Sequence, residues 1–183
     1  MTYWSSPNAE PKRDFRWVLG FGDGLTRIDA YMCKNAERPT FSQEEAEVAF
    51  LNHTFYYPGR LKWKELALTL YDKIDPNGAN RVYQMIRNAG YHLPENPDDY
   101  ATVSKSAAVA SLGALVLTQI NAAGHPIEIW TLKNAWIKDF TPSKWDYTSN
   151  EVATLDITIR FDFAKLEQMP ASPEFQNFEP ELP

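Results

Sequence analysis

At 183 residues, 44% hydrophobic and 23% charged, the chain has the size and balance of one folded domain and no room for two catalytic ones. Eighteen Lys and Arg against 24 Asp and Glu leave a net charge of −6 with only scattered basic residues, which excludes a tight grip on nucleic-acid phosphates. The single cysteine, Cys33, excludes an intramolecular disulfide and a thiolate metal cage, and no run approaches the roughly 18 apolar residues of a membrane helix.

Residues 1–14 carry Pro7 and Pro11 among polar residues and read as an N-terminal arm, with no apolar stretch to suggest a secretory signal. The glycine-dense Gly20-Phe21-Gly22-Asp23-Gly24 reads as a turn between strands. Arg27 to Cys33 and Glu44 to Asn52 are predicted short strands, joined through Asn35 to Ser42, where Pro39 marks a loop. Tyr56-Tyr57-Pro58-Gly59-Arg60 reads as a strand and turn. Trp63 to Tyr71 alternates, placing Leu66, Leu68 and Leu70 opposite Glu65, Ala67 and Thr69. A helix follows. Asp75 is suited to cap it, Pro76 to its first turn and Gly90 to its end, while Val82, Met85, Ile86 and Ala89 form one apolar stripe. A second short helical turn is expected near Val103 to Ala110.

Leu112 to Ile120 and Ile127 to Ala135 are β-rich runs separated by the turn residues Asn121 to Pro126, which predicts a hairpin. Val152 to Phe163 gives the strongest local signal. Ala153, Leu155, Ile157, Ile159, Phe161 and Phe163 share one face, and Thr154, Asp156, Thr158, Arg160 and Asp162 share the other. Residues 166–183, with Pro170, Pro173, Pro180 and Pro183, read as an extended C-terminal arm whose Phe175, Phe178 and Leu182 suit docking on a surface. The expected division is therefore an arm at 1–14, a β domain at 15–165 and an arm at 166–183. Its predicted class is mostly β, an antiparallel sandwich or barrel with one flanking α-helix packed outside.

Signs of chemistry are sparse. His53, His92 and His125 have no metal-ligand spacing, and Cys33 on a strand reads as a buried, inert thiol. No nucleophile elbow or phosphate loop is present. Asp98-Asp99 sits in a Pro-rich loop, and Asp156 and Asp162 on one strand would stand about 20 Å apart, too wide for a catalytic pair. Neither an enzyme nor a cofactor or metal is expected. Aromatics make up 14% of the chain, and Trp63, Trp130, Trp136 and Trp145 lie in or beside strands, where core packing and subunit contact both bury such residues.

The order of these pieces resembles the tail tube protein of contractile-tailed bacteriophages over about residues 25–165. Gly59, Arg60, Trp63 and Asp72 match the strand leading into the helix, and Asp146, Asn150, Glu151, Val152 and Thr154 match the opening of the closing strand. The resemblance implies a structural virion protein, made in the host bacterial cytoplasm. Its hexameric rings would stack into a tube that delivers DNA without binding it specifically. It also implies sheath, baseplate and tail terminator proteins as partners, and no membrane. Edge strands left open in one copy would pair around such a ring. Six copies would carry a charge of about −36, suited to a bore that repels phosphates. Glu45, Glu47, Asp156 and Asp162 are the candidates for lining that bore, and Trp63, Trp136, Trp145, Phe175 and Phe178 for subunit interfaces. Two other readings stand beside it: the inner tube of a phage-like injection or secretion device, and a monomeric β-barrel module holding a ligand in its mouth.

Overall fold

Residues 11–21, 32–75, 77–93 and 100–169 are described in the computed structural model of the chain. The elements run β1 (Trp17–Gly20), β2 (Cys33–Ala36), β3 (Phe41–Phe50), β4 (His53–Trp63), β5 (Leu66–Tyr71), α1 (Gly78–Asn88), α2 (Lys105–Leu112), β6 (Leu115–Ile120), β7 (Pro126–Lys133), β8 (Trp136–Pro142), β9 (Thr154–Arg160) and β10 (Phe163–Gln168). Antiparallel pairing builds a first sheet in the order β1-β6-β7-β10 and a second in the order β2-β5-β9-β8. β3 and β4 form a separate two-stranded ribbon.

Alternation makes the core. Leu66, Leu68 and Leu70 of β5 stand opposite Ile159, Ile157 and Leu155 of β9, and all six are fully buried. Leu19, Leu115 and Leu132 join them from the first sheet, and Val82, Met85 and Leu112 from the helices. Burying each such side chain is worth about 1.5–3 kcal/mol, so this ladder dominates the stability of the sandwich. Among the described residues the sheets are open: β1 and β10 are the edges of one, β2 and β8 of the other.

Among the described residues two helices flank the sandwich; the second, eight residues long, has the length of the run expected near Val103 to Ala110 and begins two residues later. Asn77 caps α1 by accepting the Asn80 N–H at 2.7 Å, two residues later than the expected cap at Asp75. Gly90, at φ 104°, ends it as expected, where a β-carbon would be strained. Ser104 caps α2 by accepting the Ala107 N–H at 3.2 Å.

Three sequence expectations are corrected. First, the last alternating run is two strands. β9 ends at Arg160, and Phe161 and Asp162 carry the chain to the first sheet, where β10 pairs with β7. Asp156 and Asp162 therefore do not share a strand. The corner is fixed by the Asp162 N–H, which donates to the Lys133 carbonyl at 3.1 Å, and by Asn134 at φ 55°, which turns β7 into β8. Second, the boundary expected at residue 166 falls inside β10; the rest of that arm from Pro170 lies outside the described residues. Third, Glu44 to Asn52 and Tyr56 to Arg60 are not a short strand and a turn but parts of one long ribbon. At the other end, the described part of the N-terminal arm lies on the first sheet. There Lys12 pairs with Glu128, and Gln119 donates to the Arg13 carbonyl at 2.9 Å.

Candidate assembly surface

The ten residues of β3, at about 3.3 Å per residue, make the β3–β4 ribbon roughly 33 Å long. Every residue from Phe41 to Lys62 is exposed. Its foot is tied to the sandwich: the Lys64 N–H donates to the Thr40 carbonyl at 2.9 Å. Phe41 meets Trp63 edge-on at 5.3 Å, and Trp63 packs on Phe161 at 5.8 Å.

Pairing shifts where Gln43 faces Leu61 but Glu45 faces Pro58, leaving Gly59 and Arg60 opposite Glu44. This bulge requires glycine. A β-carbon on Gly59 would stand 2.8 Å from the Glu44 carbonyl oxygen. Pro58 is tolerated because each strand of a ribbon keeps one free edge. Leu51 and Asn52 form the two-residue tip, with Leu51 at φ 50° and 87% exposed.

Register sorts the side chains of the outer half into two faces. Ala46 pairs with Tyr57, Val48 with Phe55 and Phe50 with His53, giving an apolar face on which Val48, Phe50, Phe55 and Tyr57 are each at least half exposed. Glu45 with Pro58, Glu47 with Tyr56 and Ala49 with Thr54 make the polar face. A two-stranded ribbon is marginally stable alone, and an apolar patch of this size on a folded chain marks an association surface.

The other predicted site residues are dispersed. Asp156 lies on the outer face of the second sheet and accepts the Thr69 hydroxyl at 2.7 Å. Asp162 sits at the corner, bonded by the Lys105 ammonium at 2.7 Å and the Asn134 amide at 2.7 Å. Those bonds hold its carboxyl below the usual range. Trp63 is half-buried at the ribbon's foot, and Trp136 is half-buried on β8, lining a groove of about 260 Å³ beside α1 and α2. Trp145 is 97% exposed in the loop between β8 and β9. Phe175 and Phe178 lie outside the described residues.

Sequence reasoning missed Tyr147, fully exposed beside Trp145, and the apolar face of the ribbon. The signal for the latter was there in Val48 and Phe50 alternating with polar neighbours, then Phe55 and Tyr57 after a short connection.

Among the described residues, no group of three His, Cys, Asp or Glu side chains could hold a metal ion. Burial pushes the Cys33 thiol up to about 12, far from a thiolate. The cleft between Trp17, Arg38, Gln119, Glu128 and Trp130 holds only about 180 Å³, below the roughly 300 Å³ of small ligand pockets. Its polar groups serve one another: Arg38 donates to Gln119 at 2.8 Å, and Trp130 to Glu128 at 2.5 Å. Burial alone would raise the Glu128 carboxyl, but Lys12 and Trp130 hold it below its ordinary value.

No protein-family model matches the chain, and no curated protein sequence matches it. Solved structures do. The cap of the anti-feeding prophage, its tube terminating cap, superposes with a TM-score of 0.65 at 20% identity, over 87% of this chain and 93% of that one. The sheath/tube terminator of an extracellular contractile injection system, PVC, gives 0.64 at 19% identity over 86% and 97%. The sheath-tube complex of the same system gives 0.61 at 18% over 87% and 93%. The fold is thus tail-tube-like, in keeping with the resemblance found in the sequence.

Proposed function

We propose that this chain is a subunit of the inner tube of a contractile injection apparatus. Copies join side by side into closed, six-membered rings, and the rings stack. The carrying observation is the β3–β4 ribbon, which is exposed over its whole length, apolar on one face and attached to two sheets whose edges are open among the described residues. Neighbouring copies supply what such a chain lacks: pairing for the edges and cover for the apolar face. The role is mechanical, and a sheath around the tube and a baseplate beneath it are its natural partners, as in the complexes that share the fold.

Glu45 and Glu47, on the polar face of the ribbon, and Asp156, on the outer face of the second sheet, are the carboxylates assigned to the bore. Asp162 contributes less there, since Lys105 neutralises it. A second reading, a phage tail tube carrying DNA, draws on the net charge of −6, because an acidic bore lets a polyanion slide.

Electron microscopy of the purified protein tests the proposal. Six-fold rings and stacked tubes are expected; a monomer at every concentration would sink it, and single rings that never stack would make the chain a terminator instead. For the bore, Glu47→Lys with Asp156→Lys is expected to assemble and yet impair delivery. Normal delivery by that variant would refute the lining. Nuclease-protected DNA in assembled particles would favour the phage reading.

A further inference from the structure

A trough runs along the edge of the second sheet, between β8 and the two helices. Its apolar part, about 260 Å³, is lined by Ile86 of α1, Ala108 and Leu112 of α2, and the run Trp136 to Phe140 of β8. Successive side chains of a strand alternate between faces, so five in a row border one groove only where the strand meets it edge-on. Among the described residues β8 pairs with β9 alone, which leaves its other edge toward the trough. Trp136, Ile137 and Phe140 are only half-buried there. A wider part, about 410 Å³, shares Val103, Ala108 and Trp136 with the first and adds Lys105, Arg160 and Asp162.

Residues 170–183, which lie outside the described residues, have the composition to fill this trough. They carry Phe175, Phe178 and Leu182, together with Glu174, Glu179 and Glu181 and no Lys or Arg. Lys105 and Arg160 outnumber Asp162 in the wider part, so the charges suit. Proline at this density favours a turn of three residues, which would set Phe175 and Phe178 on one face about 9 Å apart. Aromatic-lined grooves take such segments. Reach suffices as well. The Lys105–Asp162 pair puts the wider part beside the start of β10, and the six residues of β10 carry the chain about 20 Å onward. Phe178, nine residues past Met169, can return about 28 Å.

We infer that the trough between β8 and the helices is the seat of the chain's own C-terminal segment, with Phe175 in the wider part and Phe178 in the apolar part. The covalent tether holds the segment at an effective concentration of about 1 mM, above that of a second copy in dilute solution. So seated, it covers the free edge of β8 in the unassembled chain and shields that edge from stray pairing. The contact needs no second copy and is independent of the tube reading.

The test is disulfide trapping in the full-length protein. Asn177→Cys is combined either with Val103→Cys, at the exposed rim of the trough, or with Ala123→Cys, in the exposed turn between β6 and β7. That turn lies nearer the root of the segment, where the Met169 N–H donates to the Ile127 carbonyl at 3.1 Å. Cys33 stays out of the reaction, because burial keeps its thiol protonated. With oxidised glutathione and dilute protein, linkage between positions 103 and 177 of one chain is expected to form at least about tenfold faster than linkage between 123 and 177. Adding Phe175→Ser and Phe178→Ser is expected to remove that preference. Equal or reversed rates, a preference that survives the serines, or linkage only between chains in a mixture of labelled and unlabelled protein would overturn the inference. Should circular dichroism find the Val103 variant misfolded, Asp139→Cys takes its place with the same expectations.

Discussion

Asp162 shows how one side chain fixes a corner of the fold. It receives the Lys105 ammonium and the Asn134 amide where the chain passes from β9 to β10. Its folded carboxyl therefore holds its proton less readily than the ordinary value of 3.8, and the unfolded chain protonates first as pH falls. The resulting stability is complete above that value and is lost as pH drops through the depressed one. Asp162→Asn is accordingly expected to cost about 0.2–1 kcal/mol near neutrality, the range for exposed ion pairs, and less in strong acid. Urea melts of both proteins at about pH 7 and about pH 2.5 check this; a gap that widens in acid would contradict the assignment. Gly59 is the second such residue. Gly59→Ala pushes a β-carbon against the Glu44 carbonyl, at an expected cost of about 1–3 kcal/mol to the ribbon. Hydrogen exchange should quicken in Phe41–Trp63 and stay unchanged in β5 and β9. Neither constraint could be read from the sequence, because Asp162 continues the alternation of its run and Pro58-Gly59 carries the usual signal of a turn.

Elements whose pattern matches their burial were legible. The leucines of β5, the alternation through β9 and the apolar stripe of α1 all face the core, so period and environment agree. Met85→Ala in α1, at 1% exposure, is expected to cost about 2–5 kcal/mol in urea unfolding. The ribbon's alternation stood in the sequence but its meaning did not: its apolar residues face solvent in a single copy, and nothing local reveals a partner that is another chain. The same logic separates its mutations from those of the core. Val48→Ser with Phe55→Ser is expected to leave the unfolding energy of the monomer within about 0.5 kcal/mol of wild type while abolishing assembly in sizing chromatography. A large loss of monomer stability would mean that the ribbon packs on its own sandwich.

At the scale of the molecule, each copy brings a net charge of −6 to its neighbours, and repulsion over a screening length of roughly 8 Å opposes association. Raising salt from about 50 to about 500 mM is expected to strengthen assembly, measured by light scattering; weakening would mean that exposed ion pairs such as Lys62–Glu44 find partners between copies. A ribbon that gains its stability only from company has a kinetic consequence. The earliest contacts must order it before any neighbour has been ordered in return, whereas later arrivals meet a surface already set. Growth should then show a lag and a threshold concentration, abolished by adding preformed fragments as seeds. In a cell, filaments would begin where a template offers the first finished surface, and the free pool would stay unpolymerised elsewhere.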